Sequence, residues 1–189
     1  MSAWIRMVSD AEATGKVKEA LDGARTPHGT VDNVLRVHGL RPHTMHGHIT
    51  LYRSILHHKD NSIPLWFLET AGTYTSILNN CTYSVTHHSL NLRRLLADEQ
   101  KSERVLGALE SRRPEDAFEG RELAMLRYVE KLTLNVGEMS RTDFDALKQS
   151  GCEDAEILEL NQVVGYFSYV NRLLNGLGVT TEGDVIGYY

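Results

Sequence analysis

Cysteine is scarce in this chain: Cys81 and Cys152 are the only two among 189 residues. Two thiols cannot supply a disulfide framework, so the fold must rest on a packed core, and a chain of this length can bury one. Proline is nearly as rare. Pro27, Pro42, Pro64 and Pro114 each fall where a helix begins or a loop runs, which leaves long stretches free to be helical. No stretch approaches the roughly 18 apolar residues of a membrane helix. A basic excess is also lacking: the net charge of −5 argues against a nucleic-acid partner. The first residues, MSAWIRMVSDAEATGK, have no apolar core and soon turn acidic, so no secretory signal is expected and the cytoplasm is the default compartment. What remains is 41% apolar and 24% charged, the balance of an ordinary soluble globular domain spanning residues 1–189.

Apolar periodicity points to helices throughout. A first helix is expected after Ser9 or Asp10, with Ala13, Val17, Leu21 and Ala24 on one face. Val31, Val34 and Leu35 begin a short helix that stops near Gly39, and Pro42 opens a third with Met45, Ile49, Tyr52 and Leu56 as its stripe. Ser62 reads as the N-cap of the segment PLWFLETAGTYTSILNN, whose closing asparagines end one helix and cap the next at Cys81. Further helices are expected from Ser102, from about Glu119 to Val136, after Ser140 and from about Asp154 to Asn175. The last is apolar round much of its girth, which suggests a central position or a subunit contact. No sustained strand alternation is present, so the fold class is all-α.

Cys81, Ser84 and His88 follow at steps of three and four and therefore stack on one helix face. Cys81 falls in the first turn, where free N–H groups and the helix dipole favour a thiolate. Ser84 can hydrogen-bond that thiolate, and His88 can exchange its proton. Glu69 is the nearest acidic partner on the preceding helix, in a stretch with no other charge, and is expected to be partly desolvated. A cysteine and a histidine on a helix are also commonly plain core residues, so spacing alone leaves both readings open.

The stretch ETAGTYTSILNNCTYSVTHH, from Glu69 to His88, resembles the core signature of the AhpD-like, or carboxymuconolactone decarboxylase, family, and is most similar to its peroxidase-related branch. That signature sets a glutamate twelve positions before a C-x-x-C-x-x-x-H motif, and Glu69, Cys81 and His88 fill it with Ser84 at the second cysteine position. EATGKVKEAL, VDNVLRVHGLRP and NRLLNGLGVTTEGD resemble further segments of that branch, with the motif core at about 62–97. The resemblance implies an AhpD-like helical bundle that forms a homo-oligomer, from dimer to hexamer. It also implies Cys81, Ser84, His88 and Glu69 as the catalytic group. Tyr83, between Cys81 and Ser84, is expected to line the pocket mouth or to pack against the neighbouring helix, and His87 is expected at the substrate pocket. In peroxidase members the cysteine pair reduces hydroperoxides while glutamate and histidine relay protons, and the second cysteine attacks the peroxide. With Ser84 there, no internal disulfide can form in the motif.

Three activities are consistent with this pattern. Cys81 can act alone on a small hydroperoxide, with an external thiol reductant restoring it. Glu69 and His88 can instead work as an acid/base pair on a small carboxylated substrate, as the decarboxylase branch implies. The chain can also be a catalytically degenerate, oligomeric binding protein. No cofactor is expected. Nine histidines, among them His43, His46 and His48 in RPHTMHGH, invite a metal reading, but helical spacing does not bring those three to one face, and no metal is expected. Cys152, after Gly151, is expected to be structural, and Trp4 and Trp66 are expected to pack.

Overall fold

Small side chains decide what lies at the middle of this molecule. The segment Leu65–Leu78 carries Ala71, Gly72, Thr73, Thr75 and Ser76, which let other helices approach from several sides. The computed structural model describes residues 2–187. Among them are nine α-helices and no strand: α1 (Gly15–Gly23), α2 (Asn33–Arg36), α3 (Pro42–Leu56), α4 (Leu65–Leu78), α5 (Thr82–Leu96), α6 (Glu99–Glu110), α7 (Gly120–Leu134), α8 (Arg141–Gln149) and α9 (Asp154–Leu177). Helix α4 is the hub and packs against α5, α9 and α7, and 11 of its 14 residues are buried. A Cβ built on Gly72 would lie 2.2 Å from Cε2 of Phe167, so α9 sits closer to α4 than any other residue at that position allows. One continuous core joins these helices, and a smaller cluster of Leu21, Val31 and Met45 seats α1 against α3.

Helix ends follow local chemistry, and several differ from the pattern-based expectation. The first helix starts at Gly15 rather than after Ser9. The Glu12 carboxylate closes a local turn by accepting from the Ser9 N–H and hydroxyl, and Gly15 then adopts φ +52°, which breaks helical continuity. Pro64, not Ser62, precedes α4, and the Ser62 N–H donates to the Glu159 carboxylate at 2.8 Å. Helix α6 begins at Glu99 rather than Ser102. Asp98 caps it by accepting from the Lys101 N–H at 2.9 Å, while Ser102 is buried with its hydroxyl bonded back to the Asp98 carbonyl. Ser140 caps α8 with Asp143 in a reciprocal capping box, as its sequence position predicts. Trp4 is 75% exposed rather than packed, while Trp66 is half-buried against Phe67 with Lys101 over its ring.

The turn between α4 and α5 does most to place the site. Asn80 takes the left-handed conformation, φ +52°, which asparagine tolerates better than most residues, and the Cys81 N–H closes back on the Ser76 carbonyl at 2.9 Å. Side chains from α9 bolt this turn down. Asn79 Nδ2 donates to Asn171 Oδ1 at 3.0 Å, and Asn175 Nδ2 donates to the Asn79 carbonyl at 3.2 Å. Cys81 is thereby set as the N-cap residue of α5, with Ser84 and His88 one and two turns along.

Candidate functional site

Two of the four motif residues line a cavity, Glu69 backs one of them, and the cysteine stands apart. His88 Nδ1 lies 2.7 Å from Glu69 Oε2, with Glu69 1% and His88 7% exposed. Ser84 and His88 both line a cavity of about 430 Å³ enclosed by α2, α3, α5 and α9. Val34, Leu35, Ile49, Val170 and Leu174 give it an apolar body, and Tyr52, Tyr83 and Tyr166 bring phenols to its walls. The Ser76 hydroxyl lies 2.9 Å from Ser84 Oγ and also 2.9 Å from the Gly72 carbonyl, and Asn171 Nδ2 donates to Ser76 Oγ at 3.2 Å. Ser84 is thus held from behind by buried polar groups while its front faces the cavity.

Cys81 is fully buried and is not on the cavity wall. The helix N-terminus does not make it a thiolate, contrary to the expectation from its position. Burial pushes the thiol above its ordinary value and outweighs the Ser84 N–H and the Asn171 side chain, which pull the other way. Cys152 is also a free, buried thiol, 3.5 Å from Ser150 Oγ.

The two residues expected at the pocket part company. Tyr83 lines the cavity, whereas His87 is buried behind it, stacked on the Tyr83 ring with centroids 4.8 Å apart. Both face the chain's C-terminal segment, where the Asp184 carboxylate accepts from the Tyr83 hydroxyl and from the Asn33 N–H and lies 3.6 Å from His87 Nε2. Burial and that carboxylate raise the Tyr83 phenol well above its usual range.

Several wall residues carry no motif signal. His48 and Tyr166 are hydrogen-bonded to each other at 2.8 Å, and His57 and Tyr52 form a second pair at the same distance. His48 stands in RPHTMHGH, where its spacing from Met45 on the inner face of α3 marks it as inward. Nothing in the pattern of α9 distinguishes Tyr166 from a packing aromatic. His43 and His46 are exposed while His48 is buried, and among the described residues no three His, Cys, Asp or Glu side chains are grouped so as to hold a metal ion. No helix among the described residues is long and apolar enough to cross a membrane.

No family model matches this chain, and no curated protein matches it by sequence. Its fold does have solved counterparts. An AhpD-core, uncharacterized peroxidase-related protein from Ralstonia eutropha JMP134 superposes with a TM-score of 0.82 at 20% identity, over 97% of this chain and 94% of that one. A peroxidase-related protein from Silicibacter sp. TM1040 does so with 0.82 at 18% identity, over 97% and 93%. The debrominase Bmp8, in a cysteine-to-alanine form bound to 2,3,4-tribromopyrrole, gives 0.73 at 16% identity, over 94% and 90%. The chain therefore has the AhpD-like fold, as its motif implied.

Proposed function

We propose that this chain is a non-redox enzyme on the AhpD-like fold, moving a proton on a small, largely apolar molecule held in the cavity of α3, α5 and α9. One observation carries the reading: Ser84 and His88 are at the cavity wall with Glu69 behind His88, while the only thiol of the motif is buried away from it. A buried carboxylate on one imidazole nitrogen orients the ring and leaves the other nitrogen for the cavity, so His88 is the acid/base group and Glu69 its orienting partner. The Ser76 hydroxyl gives its one hydrogen to the Gly72 carbonyl, so Ser84 donates to Ser76 and presents its oxygen to the cavity as an acceptor that orients the occupant. A base beside a bound carbonyl compound is what abstraction of the adjacent C–H proton requires. The apolar walls strengthen both interactions by excluding water. Binding of 2,3,4-tribromopyrrole by Bmp8 supports a small, flat ring as a fitting occupant for this architecture.

The names of the two peroxidase-related neighbours favour the hydroperoxide reading, in which Cys81 is oxidised and an external thiol restores it. Burial of that thiol and its raised pKa oppose it, because the thiolate is the reactive form and needs access to peroxide. The two readings separate in one experiment. The purified protein is incubated in D2O with a panel of small aromatic ketones, and carbon-bound deuterium is read by NMR. In parallel, loss of cumene hydroperoxide is followed with excess dithiol. We expect exchange that falls at least about 100-fold in His88→Gln, the usual worth of a general base, with peroxide loss no faster than in Cys81→Ser. Peroxide consumption that vanishes in Cys81→Ser, with no exchange above buffer, overturns the proposal and restores the thiol.

A further inference from the structure

Four side chains run from the cavity to the surface in a single line of hydrogen bonds. Tyr166 Oη is 2.8 Å from His48 Nε2, His48 Nδ1 is 3.0 Å from His38 Nε2, and His38 Nδ1 is 2.7 Å from Thr44 Oγ1. Tyr166, His48 and His38 are buried, at 6%, 4% and 6%, while Thr44 is exposed. At the outer end the Thr44 hydroxyl donates to the Arg41 carbonyl at 2.8 Å.

That last bond sets the direction of all the others. A hydroxyl has one hydrogen, and Thr44 gives its own to Arg41, so Thr44 accepts from His38 and the His38 hydrogen sits on Nδ1. A neutral imidazole with a hydrogen on Nδ1 accepts at Nε2, so His48 Nδ1 is the donor to it. His48 Nε2 is then also an acceptor, and Tyr166 must donate. Burial keeps both rings neutral: it lowers His38, and burial with the neighbouring His38 holds His48 down to about 4. With its hydrogen committed to His48, the Tyr166 oxygen offers only lone pairs to the cavity.

We propose that Tyr166, His48, His38 and Thr44 form a directed proton exit from the cavity, and that the cavity's occupant carries an N–H or O–H group that donates to the Tyr166 oxygen. In the transfer the occupant's N–H or O–H bond breaks and its proton bonds to Tyr166 Oη. The Tyr166 hydrogen moves to His48 Nε2, that of His48 Nδ1 to His38 Nε2 and that of His38 Nδ1 to Thr44 Oγ1, while that of Thr44 leaves its bond to the Arg41 carbonyl for water at the surface. The occupant keeps the bonding pair as an anion, and each residue ends with as many hydrogens as it began with. All donors then point inward, so the same chain returns a proton by the reverse shift. The line shares the cavity with His88 but not its base, so either can fail alone.

Two measurements test it. The first needs no ligand: ring nitrogens of 15N-histidine protein are read by NMR at neutral pH and assigned with His38→Gln and His48→Gln. We expect both rings as the Nδ1–H form, the less common one for a free imidazole. An Nε2–H form of either ring overturns the direction and with it the exit. The second compares phenol with anisole, which has the same ring and no donor. One neutral hydrogen bond of about 1 kcal/mol gives phenol roughly a fivefold lower Kd. Tyr166→Phe should remove that preference and leave anisole binding within about twofold. Equal binding of the two by the parent, a preference that survives in Tyr166→Phe, or binding of neither compound at millimolar concentration overturns the assigned donor contact. The first measurement stands on the parent alone whether or not Tyr166→Phe folds.

Discussion

A single atom, the oxygen of Ser84, limits what this site can do. The hydroxyl occupies the cavity wall beside His88, and it cannot be oxidised along the thiol ladder. The remaining thiol, Cys81, has become part of the core beneath it. Residue-scale chemistry also makes the fold sensitive to acid, through His48. Its folded pKa of about 4 lies below the ordinary 6.5, so between those values the unfolded chain binds a proton that the folded chain refuses. Stability therefore rises with pH across that window and is lost as pH falls through it. A depression of that size corresponds to about 3 kcal/mol for this one group, with His38 adding in the same direction. Urea midpoints between pH 7 and pH 4 should fall more steeply for the parent than for His48→Gln. Equal slopes would show that His48 is solvated in the folded protein.

At the scale of the helix, the closeness of α4 and α9 is the feature most open to challenge. A methyl at position 72 would overlap the Phe167 ring, and the flat face of His88 meets that same ring edge-on, with centroids 4.7 Å apart. Gly72→Ala should therefore cost about 1–3 kcal/mol through overpacking, despite alanine's better helix propensity. The melting temperature should drop by several degrees, and the histidine signal of His88 should shift as Phe167 is displaced. A rise in melting temperature would mean that α9 yields without strain. The sequence makes much of this scale legible. Apolar spacing finds α3, α5, α7 and α9 almost to their ends, and the asparagine pair places the turn before Cys81. It is silent where a local turn beats periodicity, as at Ser9–Gly15, and where a distant carboxylate holds the backbone ahead of a helix, as Glu159 does at Ser62. The apolar girth of α9 is met within the chain by the small residues of α4, with Leu158 and Tyr169 left exposed on α9.

Over the whole molecule, the segments near the two termini brace the cavity wall from behind. The Trp4 N–H donates to the Leu177 carbonyl at 2.8 Å, the Thr180 N–H donates to the Ser2 carbonyl at 2.9 Å, and the segment after α9 runs on across α2 and α5. Asn33 Nδ2 grips that segment through the carbonyls of Thr180 and Glu182, each at 2.9 Å. Asp184 is its anchor, with a side chain 2% exposed. Its carboxylate receives the Asn33 N–H at the start of α2 and the Tyr83 hydroxyl, so one residue joins the C-terminal segment, α2 and the cavity wall. The Tyr83 oxygen in turn accepts from the Val34 N–H at 3.1 Å. No pattern in the sequence announces this, because the partners lie about 100 to 150 positions apart. Asp184→Ala would leave a buried phenol and the first N–H of α2 without their acceptor, at about 1–3 kcal/mol for each group. We expect the variant to lose several kcal/mol of unfolding free energy, measured by urea titration. Its cavity should also bind phenol more weakly, because Tyr83 is freed from its place on the wall. Asp184→Asn separates charge from connectivity, since an amide oxygen still accepts one of the two bonds. It should fall between the parent and Asp184→Ala in both measurements. If Asp184→Ala is as stable as the parent and binds phenol equally well, the C-terminal segment is a passenger and the wall holds without it.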